Sequence, residues 1–269
     1  MYLSQFKRGV CLFFGLLLMV SCSEYQQLLR KGELAEKYRA AETFYKGGDY
    51  KRALRLFEQI VPAYRGKPQA ERVLFYEADT YYKLEDFYIA QYKFERFAKL
   101  YSKSDKKEEA LFKEAKSIYE LSNRYTLDQK ETFTGLDKLQ KFINDYPEGK
   151  FLERANKYTA ALRFKLEKKY YKVAKQYHHR ELYKPAIKSF SNYLVDYPGS
   201  KFTELVLYYR LESAYELAIN SFDNLIPNRL KKAQEFYEAY ESRSKDKNLK
   251  KKASAIADDI KNRQQAFNI

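Results

Sequence analysis

The chain has two thiols and two imidazoles, at Cys11, Cys22, His178 and His179. Cys22 directly follows Ser21 at the end of an unbroken apolar run, Gly9 to Val20, that is preceded by Lys7 and Arg8. A positive start, a short apolar core and a small residue before the cut describe a secretory signal, too short to span a bilayer comfortably. Cleavage before Cys22 discards Cys11 and leaves one thiol at the new N-terminus. That excludes a disulfide and a thiolate metal site, although the destination is an oxidising compartment. His178 and His179 are adjacent where a helix pair is expected to turn, and neither has a metal-spaced His or Cys. The acids stand at helical spacing beside Lys and Arg, as solvated pairs do. Gly47-Gly48 belongs to a repeat turn and not to a phosphate loop. These residues compose no active site, so the expectation is a non-enzymatic protein without cofactor or metal.

The elements that must position any binding residues are read from an internal repeat. Leu139–Phe151 returns 51 residues later as Phe190–Phe202, each copy with Asp-Tyr-Pro as its stop signal (Asp145-Tyr146-Pro147 and Asp196-Tyr197-Pro198). Ala41, Ala78 and Ala115 lie 37 residues apart, and so do Ala174 and Leu211. Partner helices follow the same period: Tyr50, Ala53, Phe57 and Ile60 match Phe87, Ala90, Phe94 and Phe97, and then Tyr183, Ala186, Phe190 and Tyr193. Gly135-Leu139-Phe142 and Ala233-Tyr237-Tyr240 follow more loosely. Small residues at fixed places let two helices approach, while aromatics three and four positions away fill the grooves between them. With nine Gly and six Pro, the mature chain reads as helical nearly throughout. The spacing also predicts insertions of 8 and 10 residues in the third and fifth hairpins, near Asn123–Lys130 and Asn220–Arg229.

This pattern resembles the tetratricopeptide repeat, a helix pair of about 34 residues. The resemblance implies an all-α, right-handed superhelical solenoid of about five helix pairs with a C-terminal capping helix. The boundaries expected are a signal peptide at 1–21, a lipid-anchored linker at 22–33 and repeats one to three at 34–147. An extra connecting helix at 148–166, repeats four and five at 167–243 and a basic C-terminal helix at 244–269 complete the chain. Val20-Ser21-Cys22 further resembles the lipobox of bacterial lipoproteins, in which the cysteine thiol takes a diacylglycerol; Met19 stands where that family prefers Leu. Ser23, rather than Asp, follows Cys22, and the expected location is the periplasmic face of the outer membrane, anchored at Cys22.

Without Lys7 and Arg8 the chain keeps 49 basic against 36 acidic residues, a net charge of +13. An exported lipoprotein has little access to nucleic acid, so acidic proteins or anionic head groups are the expected counterparts. The combination of lipobox, five repeats, Phe142–Pro147, Ala174–Tyr177, Tyr183–Ala186, Asp196–Pro198 and a helical stretch between repeats three and four resembles the BamD family of outer-membrane assembly lipoproteins. That resemblance implies a lipid-anchored adaptor of the complex that inserts β-barrel proteins. Its partners would be the periplasmic domains of the barrel subunit, bound by repeats four and five, unfolded barrel precursors, and other subunits of the complex. The alternatives are a repeat lipoprotein that organises envelope or division proteins, and a wall hydrolase on a helical scaffold, for which no residues remain outside the repeats.

In tetratricopeptide units the first helices line the concave face. Counting from Ala41, Ala78 and Ala115 places Tyr38, Glu42, Tyr45, Lys46, Phe75, Asp79, Tyr82, Lys83, Phe112, Lys116 and Tyr119 there. The repeat clamp for peptide carboxylates uses Lys and Asn at several of these places, whereas Tyr38, Glu42, Asp79 and Phe112 occupy them here. What remains is a wall of aromatics with interleaved lysines, suited to an extended peptide with aromatic side chains and a terminal carboxylate. The same rings would equally serve to pack neighbouring helices together.

Overall fold

The computed structural model describes residues 24–267. The signal segment 1–21 and Cys22 lie outside the described residues. Every regular element described is helical. After α1 (residues 24–31) come α2 (Leu34–Lys46), α3 (Tyr50–Ile60), α4 (Ala70–Lys83), α5 (Phe87–Leu100), α6 (Lys107–Leu121) and α7 (Lys130–Asp145). The chain continues through α8 (Leu152–His179), α9 (Tyr183–Asp196), α10 (Thr203–Ile219), α11 (Ile226–Glu241) and α12 (Lys247–Ala266). Two compact units divide the residues, 1–122 with 130–159 and 123–129 with 160–269.

Within each unit the helices form antiparallel pairs that stack on their successors, as in tetratricopeptide proteins. The small residues of the repeat are the contact points. Ala41, Ala53, Ala78, Ala90, Ala174, Ala186 and Ala233 are wholly buried. Around them Phe57, Phe94, Phe97, Phe190 and Leu211 lose all access to water. Each such side chain stabilises by about 1.5–3 kcal/mol. No disulfide supports the described residues, so this burial holds the stack together.

The turn inside three pairs is built alike. Gly48, Glu85 and Glu181 all take positive φ, at 80°, 62° and 59°. At the first, the Asp49 amide donates to the Phe44 carbonyl and the Gly48 amide to Tyr45, and the other two repeat this two-bond helix stop. Glycine takes that backbone freely, whereas the two glutamates bear a Cβ penalty. Asp49 and Asp86 then cap the next helix by accepting from the Arg52 and Ile89 amides. Leu182, at the equivalent place, has no side chain able to cap.

Three boundaries differ from expectation. Residues 24–31 of the expected linker are helical, and Tyr25 is buried against the first repeat. Its ring meets Phe44 edge-on at 5.5 Å and its hydroxyl donates to the Arg52 carbonyl at 3.1 Å. The stretch 148–166 is no separate connecting helix: from Leu152 it is the first half of α8, which runs 28 residues without a break. After Gly149 no glycine or proline interrupts it before Pro185. The second insertion is largely structured, since Asp223–Leu225 is a 3-10 turn and α11 already begins at Ile226, with Pro227 in its first turn. In the first, Lys169 fastens the loop by donating to the Tyr125 and Leu127 carbonyls at 3.2 and 2.8 Å.

Candidate functional site

The eleven groove-facing residues expected from the repeat all lie on α2, α4 and α6 of the first unit. They fall into an outer set and an inner set. Lys46 and Lys83 are exposed at the helix ends, and Tyr38, Glu42, Tyr45, Tyr82 and Tyr119 are half-buried. Phe75, Asp79, Phe112 and Lys116 are buried. For these four the expected groove position gives way to packing between neighbouring helices. Phe75 meets Phe94 and Phe97 at 5.9 and 5.3 Å. Phe112 stacks on Phe151 at 4.6 Å with planes 8° apart, beneath the Arg154 guanidinium. Lys116 is ion-paired to Glu120 and enclosed by the rings of Tyr119 and Tyr158 at 4.7 and 4.4 Å. Its ammonium is therefore already held, and the lysines left to meet a carboxylate are Lys46 and Lys83.

Asp79 organises the centre of this face. It accepts from the Tyr45 hydroxyl on α2 and from Lys113 on α6, so one carboxylate ties three successive first helices together. Lys113 also pairs with Glu109 at 2.9 Å. Burial works against its charge, but Asp79 and Glu109 outweigh that and raise its pKa above the ordinary lysine value. Burial and the hydrogen bond to Asp79 push the Tyr45 phenol well above the usual tyrosine range. The Tyr45 ring itself leans on Tyr76 at 4.7 Å. Burial, and then the bond to Glu42 at 2.8 Å, push Tyr38 up to about 12. Glu42 in turn pairs with Arg72 at 2.8 Å. These phenols stay neutral at any physiological pH, and the face presents rings and hydroxyls rather than phenolate charge.

The second unit carries the corresponding network on α8 and α10. His178 Nε2 lies 3.1 Å from Glu212 and Nδ1 3.0 Å from the Ser213 hydroxyl. This set brings the residue types of a Ser-His-Glu triad together around a buried hydroxyl. Ser213 is wholly buried and donates its proton to the Tyr209 carbonyl at 2.6 Å, which leaves no accessible nucleophile. Tyr208 donates to the other Glu212 oxygen at 2.8 Å. Burial opposes ionisation of Glu212, but His178 and Tyr208 more than compensate and hold its carboxyl below the ordinary value. Among the described residues, no group of three His, Cys, Asp or Glu side chains could hold a metal, and no helix is long and apolar enough to cross a membrane.

Sequence spacing missed Lys113, Tyr158 and Arg72, although each sits on the periodic face of its helix. Tyr45, Asp79 and Lys113 recur at intervals of 34, three short of the 37-residue period, so each falls nearly one helical turn before its counterpart and close to the same face, a shift that period matching passes over.

Residues 30–226 match the family of outer membrane lipoproteins designated YfiO. No curated protein sequence matches the chain. Among solved structures, a tetratricopeptide repeat protein from Parabacteroides merdae is 13% identical. The match covers 83% of this chain and 98% of that one, with a TM-score of 0.39. The tetratricopeptide domain of P58(IPK) is 15% identical over 87% of this chain and 68% of its own, with a TM-score of 0.41. MamA is 16% identical over 79% and 96%, with a TM-score of 0.32.

Proposed function

Because the chain belongs to the YfiO, or BamD, family of outer membrane lipoproteins, we propose that it is the lipid-anchored adaptor of a machine that inserts β-barrel proteins. The family match over residues 30–226, together with the helix pairs that stack within each unit, is the observation that carries this reading. Stacked helix pairs of this kind offer long side-chain surfaces, which suits protein binding. In this reading the Cys22 thiol carries the lipid, and the buried Tyr25 holds the first helix against repeat one a few residues further on. Repeats four and five dock the periplasmic domains of the barrel subunit, with the turn after α10 as one contact. Phe222 is 82% exposed there and offers a partner a ring to bury.

The outer set on α2, α4 and α6 binds the C-terminal segment of a barrel precursor. Tyr45, Tyr82 and Tyr119 supply half-exposed rings, and Lys46 or Lys83 meets the terminal carboxylate. A barrel strand sends alternate side chains to one face, so aromatics on that face can meet such a row of rings. Two buried rings offset the ordering of the peptide and leave an affinity near micromolar, about −8 kcal/mol. The test is binding of a barrel protein's C-terminal peptide to Tyr82→Ala and Lys83→Glu variants. Each should weaken it about tenfold, the order expected for one ring or one charged contact. Unchanged affinity in both, with helicity retained, places the precursor site elsewhere.

A further inference from the structure

The first unit holds a cavity that none of the sites above uses. It has a volume of about 300 Å³ and lies where the loop after α3, the start of α4 and the end of α5 converge. Val61, Ala70, Leu74 and Tyr101 line it with apolar surface, and Leu100, 58% exposed, stands at its lip. Arg65 from the loop and Arg96 from α5 also line it, and no acid is among the described residues that do. Arg65 is exposed and Arg96 half-exposed, so the pair is open to an incoming ligand. On α5, Lys93 and Lys99 pair with Glu77 and Glu95 at 2.6 and 3.1 Å. Arg96 between them has no ion pair among the described residues, and neither has Arg65. The loop that carries Arg65 is held before any ligand arrives. Pro62–Tyr64 forms a 3-10 turn, Gly66 turns the chain at a φ of 76°, and the Lys67 and Ala70 amides donate to the Tyr64 and Lys67 carbonyls at 3.0 Å. Tyr64 is buried, its ring 5.6 Å from that of Tyr38 and capped by the Lys67 ammonium at 5.3 Å. Arg96 rises from a stretch of α5 fixed by the fully buried Phe94 and Phe97.

A cavity of this size is at the small end of ligand pockets and takes one apolar side chain rather than a whole ligand. Two guanidiniums at its rim, with no acid in the lining, match an anion beside that side chain. We propose that the cavity docks an acidic segment of a protein partner. A leucine-sized side chain of that segment enters the cavity, and the carboxylates flanking it meet Arg65 and Arg96. The entering side chain covers Leu100, and the arginine stems close over it. Loop and helix are already ordered, so binding has little of this chain left to fix. The recessed apolar floor favours a protruding protein side chain over the phosphates of a bilayer surface. The cavity shares no residue with the outer set on α2, α4 and α6. The assignment therefore stands whether or not that set binds barrel precursors.

The test is binding of a fluorescent, end-blocked peptide of alternating leucine and glutamate to the full chain at fixed ionic strength. Arg65→Gln and Arg96→Gln should each weaken it about tenfold, the order of one two-pronged charged contact. Arg96→Lys should fall short of wild-type affinity, because it keeps the charge and loses the fork. Leu100→Ser should weaken binding about fivefold through lost apolar contact. Lys103→Gln removes the same charge as the arginine variants just outside the lining, and should cost no more than about threefold. All these side chains are exposed or half-exposed and none is ion-paired, so melting temperatures should match wild type and a lost signal is lost docking. No binding by wild type, or unchanged affinity in both Arg65→Gln and Arg96→Gln, would overturn the site. A loss in Lys103→Gln equal to theirs would reduce the effect to general attraction and overturn it as well. Anionic phospholipid vesicles held by wild type but not by the two arginine variants, with peptide binding alike in all three, would make this a lipid site and equally sink the proposal.

Discussion

At the scale of single residues, the repeat turns show how a common backbone is met by unequal side chains. Gly48 takes its left-handed conformation at no cost, whereas Glu85 and Glu181 hold the same conformation with a Cβ. Glu85→Gly and Glu181→Gly should therefore each stabilise the chain by about 1 kcal/mol, read as a higher urea midpoint with unchanged slope. A fall in midpoint for both would mean that the glutamate side chains contribute something the backbone argument omits. Leu182→Asp supplies the cap that Asp49 and Asp86 provide elsewhere, and should add about 1 kcal/mol. Asp79 is the opposite case, a residue whose partners cannot be spared. Lys113→Met would leave its buried carboxylate with Tyr45 alone, at a cost of about 3 kcal/mol in the same denaturation experiment. A loss below about 0.5 kcal/mol would show the pair to be no stronger than a surface bridge.

At the scale of elements, what was legible in the sequence follows from what local spacing can encode. Small residues at a fixed period have few uses besides helix contacts, and Ala41, Ala78, Ala174 and Ala186 are all fully buried. Period alone does not separate a groove from the seam between repeats, since both lie on the apolar side of the same helix. Phe75 and Phe112 therefore read as groove residues and turn out to be packed beneath neighbours. The union of 148–166 with repeat four was equally hidden, because a helix continues wherever nothing stops it. Ala161 is exposed within that span, so Ala161→Pro tests the continuity of α8 without disturbing the core. It should cost about 3 kcal/mol or more, whereas near-neutrality would show a break there. The contact between α8 and α10 also has a pH signature. Glu212 has a folded pKa below its ordinary 4.5. The stability it adds is thus present above that value and disappears as pH falls through the folded pKa. Unfolding midpoints measured below pH 4.5 should decline less steeply in Glu212→Gln than in wild type.

At the scale of the whole molecule, stability and recognition draw on different surfaces. The core rests on aromatics and alanines between helices, while the charges behind the net +15 of the sequence lie mostly outside that core. Raising salt from 0.05 to 0.5 M should therefore weaken partner binding by about tenfold or more while leaving the melting temperature nearly unchanged. Membrane attachment should depend on Cys22 alone. Acyl chains contribute about 0.8 kcal/mol per buried methylene, which surface lysines cannot replace after a salt wash. Cys22→Ser should hence appear in the soluble periplasmic fraction, and retention in the washed membrane would contradict the anchor. The most direct measurement of the central claim is identification of the proteins retained by a tagged, lipidated chain extracted from outer membranes in mild detergent. Co-purification of a large β-barrel protein with periplasmic domains, lost in Phe222→Asp, is the result expected. Recovery of envelope or division proteins with no such barrel would contradict the account and favour the organising-scaffold alternative.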